Sequence, residues 1–230
     1  MVAIFVAFMF VSLVLTDLMV EKWRVWRAAT SGAQVRIALE TLSNGLAGLC
    51  QVPEGIHLTG QHAWVKPNPA GGLEIGVDAL IAHAVGAVRR IILPNVGDSV
   101  TAGQPLFRLE REGRTITIPS AFTGRVMAVN TRLAEQPGLL SSDPYEAGWV
   151  CYVTPTQVDR SAGGVRFGEQ AVMWLEKEFV RFSEFVFAQV SPDLAVGATS
   201  QDGGVPAVGC LSELSPAAWA DFEANFLRPS

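Results

Sequence analysis

The chain has 230 residues, 49% of them hydrophobic, and a formal net charge of −5. That length holds a membrane segment, one domain of ordinary size and an appendage, but not two large domains. The acidic balance provides no basic field to draw a polyanion, so a DNA or RNA partner is not expected.

Met1 to Thr16 carries no charge; after Asp17 the apolar run resumes as Leu18-Met19-Val20. Together they approach the ~20 residues a helix needs to cross ~30 Å of hydrocarbon. A cleaved signal peptide would place a basic residue before the run and a small-residue cleavage site after it, and neither is present. The run meets instead Lys22, Trp23, Arg24, Trp26 and Arg27, cations and tryptophans suited to the headgroup layer. Residues 1–27 are therefore expected to be a retained single-pass anchor with a basic flank, embedded in the bilayer through residues 1–20. All the nearby cations lie on its C-terminal side, so the positive-inside rule puts Met1 outside a bacterial inner (cytoplasmic) membrane and the soluble part in the cytoplasm. Cys50, Cys151 and Cys210 are far apart and odd in number, as expected of idle thiols in a reducing compartment.

Residues 28–51, with Val35, Ile37, Leu39, Leu42, Leu46 and Leu49 at mixed three- and four-residue steps, read as a juxtamembrane helical linker broken at Ser43-Asn44-Gly45. Over 52–158 the texture changes to short β-rich runs punctuated by Pro, Gly, Asn and Asp. Strands are expected at Ala63 to Lys66, Leu73 to Val77, Val85 to Ile92, Pro105 to Glu110, Arg114 to Ile118, Gly124 to Val129 and Gly148 to Val153. A short helix over 77–84 starts near Asp78, and Glu112-Gly113 makes a tight hairpin in which the glycine supplies positive φ.

Gln61-His62-Ala63-Trp64-Val65, Gly76-Val77-Asp78, Leu93 to Val100, Pro119 to Asn130 and Asp143-Pro144-Tyr145 through Gly148-Trp149 resemble, in order and spacing, the signature segments of the glycine cleavage system H protein. The resemblance covers about residues 53 to 156. It implies a mainly β, lipoyl-type barrel-sandwich hybrid, here with an N-terminal transmembrane helix and a helical C-terminal extension. It also implies a lipoyl group on a hairpin lysine, carrying an aminomethyl group among the components of the system. The chemistry departs at that hairpin. Counting back without gaps from Pro119 and Gly124 puts Glu110 on the family's hairpin glutamate and Gly113 on its lysine. Arg111 and Arg114 cannot substitute, because a guanidinium with a pKa above ~12 stays protonated and does not attack an activated acyl group. Lys22, Lys66 and Lys177 are the only lysines, and none lies on the hairpin. Gly113 therefore marks a degenerate lipoyl site, flanked by Glu110, Arg111, Glu112 and Arg114: either a solvated hairpin end or a polar docking tip where the arm would emerge.

No catalytic residue, metal site or cofactor is expected. His57, His62 and His83 have no second ligand at metal-binding spacing, and His62, in the His-x-Trp element, is given a packing role. No phosphate loop, nucleophile elbow or HExxH motif is present. In the extension, 159–230, the run Gly168 to Val190 carries Val172, Leu175, Phe179, Phe182, Val186 and Val190 on one helical stripe. Val196 to Gly209 reads as an irregular arm, and Ser215-Pro216 caps a final short helix. The aromatic surplus, Trp174, Phe185, Phe187, Trp219, Phe222 and Phe226, is a candidate partner-binding set, with burial inside the chain as the other outcome.

Two functions follow. One is a non-catalytic, non-lipoylated, membrane-anchored accessory or scaffold subunit of a bacterial membrane complex, with other subunits of that complex as partners; a respiratory or photosynthetic electron-transfer complex is one such setting. The other is a membrane-bound docking component of a lipoate-dependent system. An efflux adaptor is excluded, because residues 77 to 124 leave no room for its long helical hairpin.

Overall fold

The computed structural model describes residues 48–69, 71–157, 164–190 and 206–228, which fall in one compact unit. The expected anchor, with Lys22, Trp23, Arg24, Trp26 and Arg27, and nearly all of the linker lie outside them. Among the described residues no helix is long and apolar enough to cross a membrane.

The strands are β1 (His57–Leu58), β2 (Ala63–Asn68), β3 (Gly72–Val77), β4 (Arg90–Ile92), β5 (Ser99–Val100), β6 (Pro105–Arg111), β7 (Arg114–Pro119), β8 (Thr123–Val129), β9 (Cys151–Gln157) and β10 (Arg166–Phe167). They form an antiparallel seven-stranded sheet, ordered β10-β1-β2-β3-β9-β8-β5, and a three-stranded sheet, ordered β4-β6-β7. Alternation sets the inner faces: Leu109, Ile116, Ile118 and Val126 are buried while Arg108, Arg125 and Met127 are exposed. This is the mainly β, H-protein-like fold that the resemblance implies.

Two expected strand starts move. Residues 79–85 are helix α1 (Ala79–Val85), its N-cap Asp78 accepting from the Ile81 amide at 3.1 Å. Gly86, at φ 67°, ends the helix. Strand β4 consequently begins only at Arg90 and not at Val85. Likewise β9 begins at Cys151 and not at Gly148. Gly148 closes a turn on the Asp143 carbonyl, where a Cβ would come within 2.7 Å of that oxygen.

The segment between β8 and β9 holds two single-turn helices, α2 (Arg132–Glu135) and α3 (Leu139–Ser142), tied down by the resemblance residues. Trp64 Nε1 donates to the Pro144 carbonyl at 2.8 Å. The Ala79 amide donates to the Tyr145 hydroxyl at 3.1 Å. Buried Asn130 donates from one nitrogen to the carbonyls of Ala147 at 2.9 Å and Trp149 at 2.7 Å. Gly76 lies against the Trp64 ring so closely that a Cβ would sit 2.6 Å from it.

Helix α4 (Gly168–Val190) buries Ala171, Leu175, Phe179, Phe182 and Val186. Ala171, and not the half-buried Val172, occupies the start of that seam. After residue 205, a 3-10 turn (Cys210–Glu213) leads to helix α5 (Pro216–Phe222), which continues as a π turn through Glu223–Leu227. Ser215 caps α5 as its sequence foretells, its hydroxyl accepting from the Ala218 amide at 3.2 Å.

Asn130→Ala strands two part-buried carbonyls, and leaving such groups unpaired costs up to about 1–3 kcal/mol each. The variant is expected to lose about 2–3 kcal/mol, seen as a lower urea midpoint at unchanged slope.

Candidate functional site: the β6–β7 hairpin and the tail that holds it

Strands β6 and β7 pair in register to their last residues, Arg111 opposite Arg114. A two-residue connection between right-twisted strands favours a type I′ turn, which needs positive φ at both positions. Glu112 and Gly113 comply, at φ 51° and 76°. Gly113 is the expected positive-φ residue; Glu112, a non-glycine held in the same conformation, is not foreseen by the sequence reading. Around Gly113 the space is open, with nothing within 4 Å of a Cβ built there. The tip therefore carries a glycine, a carboxylate and no amine.

The flanks are not a free polar tip. Arg111 reaches under the hairpin to donate from Nη1 to the Val85 carbonyl, the last residue of α1, where the helix dipole favours a cation. It lies so close to Gly86 and Gly209 that a side chain at either glycine would have to displace it. Arg114 donates from Nη1 to the carbonyls of Leu214 at 2.5 Å and Leu211 at 3.4 Å, and its guanidinium sits 5.4 Å from the Trp219 ring. Of the hairpin charges, Glu112 is the exposed one, 66% accessible and 3.5 Å from Arg111. An ion pair that exposed contributes little. Glu110 is half-buried.

Strand β7 is the free edge of its sheet, and unpaired edge groups invite further pairing. The chain's own tail meets them. Trp219 Nε1 donates to the Thr115 carbonyl at 3.2 Å, and the Thr117 amide donates to a Glu223 carboxylate oxygen at 3.0 Å. Upstream, the Gly209 amide donates to the His83 carbonyl at 2.8 Å, and His83 Nε2 donates to the Pro206 carbonyl at 2.6 Å.

The aromatic set is used largely within the chain. Trp219, Phe222 and Phe226 are buried. Phe222 and Phe226 stack at 4.9 Å, and Phe182 and Phe185 of α4 pack on both. Trp174 stacks on His62 at 4.9 Å. Phe187 stays half-buried.

Beneath this packing lies a buried ionic chain. His62, at φ 60° and inaccessible to solvent, turns its ring inward so that Nδ1 lies 2.7 Å from Asp78 Oδ2 and Nε2 lies 3.4 Å from Glu178 Oε2. The second contact has ion-pair distance without hydrogen-bond geometry. Glu178 in turn pairs with Arg181, which lies 4.1 Å from the Phe226 ring and donates to the Asn225 carbonyl at 3.2 Å. Burial by itself would drive the proton off His62; the Asp78 carboxylate, and then Glu178, outweigh it and lift the imidazole to about 9. For Glu178, burial would raise the carboxyl, but His62 and then Arg181 hold it below the usual range. The role given to His62 in packing is thus an ionic one, whose partners Asp78 and Glu178 the sequence reading did not single out for it. Glu178 stands three residues after Leu175, on the edge of the buried seam, a position that could have flagged it.

Among the described residues no group of three or more His, Cys, Asp or Glu could hold a metal ion. Burial pushes the Cys50 and Cys151 thiols up to about 12 and Cys210 to about 11, away from the thiolate form that reacts.

Two antiparallel sheets, the smaller of them ending in a projecting two-residue hairpin, with a helix laid over the first strands, define a lipoyl-type β domain of the H-protein kind. Comparison with known proteins agrees. The Glycine cleavage H-protein family model matches residues 56–178, from β1 well into α4. The glycine cleavage system H protein of Micrococcus luteus is 35% identical over 107 residues, covering 46% of this chain and 84% of that protein. That of Kocuria rhizophila is 32% identical over 115 residues, covering 50% and 90%. A crystal structure of a glycine cleavage system H protein from Mycobacterium marinum superposes with a TM-score of 0.48 and 26% identity, over 54% of this chain and 98% of that one. The chain belongs to the glycine cleavage H-protein family.

Two measurements probe the site. Asparagine adopts left-handed backbone more readily than glutamate, so Glu112→Asn is expected to raise stability by about 0.5–1 kcal/mol in chemical unfolding. His62 is raised above its ordinary 6.5, so its stabilisation is complete below that pH and is lost as pH rises through about 9. Unfolding free energy should fall across that window, and His62→Gln should flatten the slope.

Proposed function

We propose that this chain is a non-lipoylated member of its family that serves as a non-catalytic scaffold subunit, held at a membrane by its N-terminal apolar run. The observation that carries the reading is the hairpin. Its tip offers Glu112 and Gly113 where a carrier would need a nucleophilic amine, and its two arginines bind the chain's own backbone. A carrier hairpin must swing a tethered group among partners, whereas this one is bound on both flanks. The apolar run, with Lys22, Trp23, Arg24, Trp26 and Arg27 after it, supports attachment to an inner membrane with the β domain on the cytoplasmic side. The partners are then other subunits of a membrane complex, an electron-transfer assembly being one such setting. Family membership favours one other reading, a membrane-bound docking component for lipoate-handling enzymes.

Purification from native membranes in mild detergent, followed by intact-mass measurement and identification of co-purifying chains, tests both. The scaffold reading expects an unmodified mass and reproducible membrane subunits. A lipoyl increment, or recovery as a lone monomer, would overturn it; capture of lipoyl ligase or dihydrolipoyl dehydrogenase would favour the docking reading.

A further inference from the structure

The hairpin carries no amine at its tip; the placement of the tail against its β7 edge is a second and independent feature. Thr115 and Thr117 point their backbone groups away from β6, toward the open side of the sheet, because these groups alternate direction along a strand. The Thr115 carbonyl and Thr117 amide are the pair that an added strand, or a protein reading the hairpin from its edge, would engage. Both are taken, by Trp219 and Glu223. Arg114 is also withdrawn, its guanidinium turned onto the Leu211 and Leu214 carbonyls. The tail is held in place from behind by the Phe182, Phe185, Phe222 and Phe226 cluster, so this cover is built on packed aromatic area and not on two hydrogen bonds alone. The tip stays open to small molecules, with no atom within 4 Å of a Cβ at Gly113.

We propose that residues 206–228 form a built-in cover on the β7 edge, which shuts macromolecules out of the hairpin while leaving its tip exposed to small reagents. Restoring the amine would then not restore the carrier. A lysine at the tip could form an amide with an activated lipoyl group, losing a proton and releasing AMP from the lipoyl adenylate, only if the ligase can seat on the hairpin. The tail stands where it must sit.

The test uses the chain with Gly113→Lys or Gly113→Cys, each with the tail intact, with Trp219→Ala and Glu223→Ala together, and with the chain ended at residue 205. A lipoyl ligase with ATP and lipoate acts on the lysine forms, and a small maleimide on the cysteine forms. The expected result is equal maleimide rates throughout, and ligase modification at least about tenfold faster when the tail is released or removed. Modification of Gly113→Lys at full rate with the tail intact overturns the cover, and so does failure in every form while an ordinary H protein is modified. Should the shortened chain not fold, hydrogen exchange of the Thr117 amide decides. It must be protected in the unaltered chain and lose at least about tenfold protection in Glu223→Ala; fast exchange in the unaltered chain sinks the proposal. A failure here leaves the scaffold reading standing, since that reading rests on the mass and company of the native chain.

Discussion

The structure depends on one buried ionic chain, Asp78 to His62 to Glu178 to Arg181, running from the N-cap of α1 through the turn before β2 to the surface of α4. Three of the four members have a second duty. Asp78 caps α1, and His62 holds a left-handed backbone and stacks on Trp174. Arg181 lies against Phe226. Taking charges out of water is costly, and removing one partner of a buried pair typically costs about 3–5 kcal/mol because the other is left uncompensated. A rotation of α4 by one residue would carry Glu178 away from His62 and leave its Nε2 facing no carboxylate, with Asp78 alone on the other ring nitrogen.

That constraint propagates to the hairpin. Once Glu178 sets the rotation of α4, Phe182 and Phe185 follow at one and two turns along, and these form the bed on which Phe222 and Phe226 lie. The aromatic bed fixes α5, and α5 presents Trp219 and Glu223 to the β7 edge. A turn beside the seven-stranded sheet is thereby linked to the closure of an edge of the three-stranded one through contacts that are individually modest. The same linkage shows why α5 can be so short. A helix of seven residues is not stable alone in water, and packing supplies what propensity cannot.

Much of the frame was legible from residues. The β-rich runs of β2, β3, β6, β7 and β8 between turn residues, the Asp78 and Ser215 caps, and the 23-residue α4 each carry a local signal that packing did not override. The two-residue strands β1, β5 and β10 were not visible, because a pair of residues has no period to read. The start of β4 was misplaced because Val85 and Val88 are equally good strand and core residues, and Gly86 alone marks the break. The tail illustrates a different limit. Its aromatics announced that they would be buried, but nothing in a linear pattern says against what, and the arginines of the hairpin could as well have faced water. Long-range pairings such as Thr117 with Glu223 are set by the fold and leave no trace in spacing.

The segments that carry the resemblance to the H protein turn out to be those that make the frame. Trp64, Gly76, Asp78, Asn130 and Tyr145 hold a strand to a loop, a strand to a ring or a helix to its cap, and none of them touches the hairpin tip. The carrier chemistry implied by the resemblance would rest on a single side chain at a position with open space around it. A type I′ turn accepts glycine at that position better than it accepts lysine, so a glycine in place of an amine would relieve backbone strain instead of creating it. Losing the carrier group is therefore structurally easy, whereas losing any of the frame residues opens a cavity or strands a buried polar group. This asymmetry is a physical route by which a chain of this architecture could lose an arm and keep its fold, and in this chain the hairpin's flanking arginines are bound to backbone carbonyls of the chain itself.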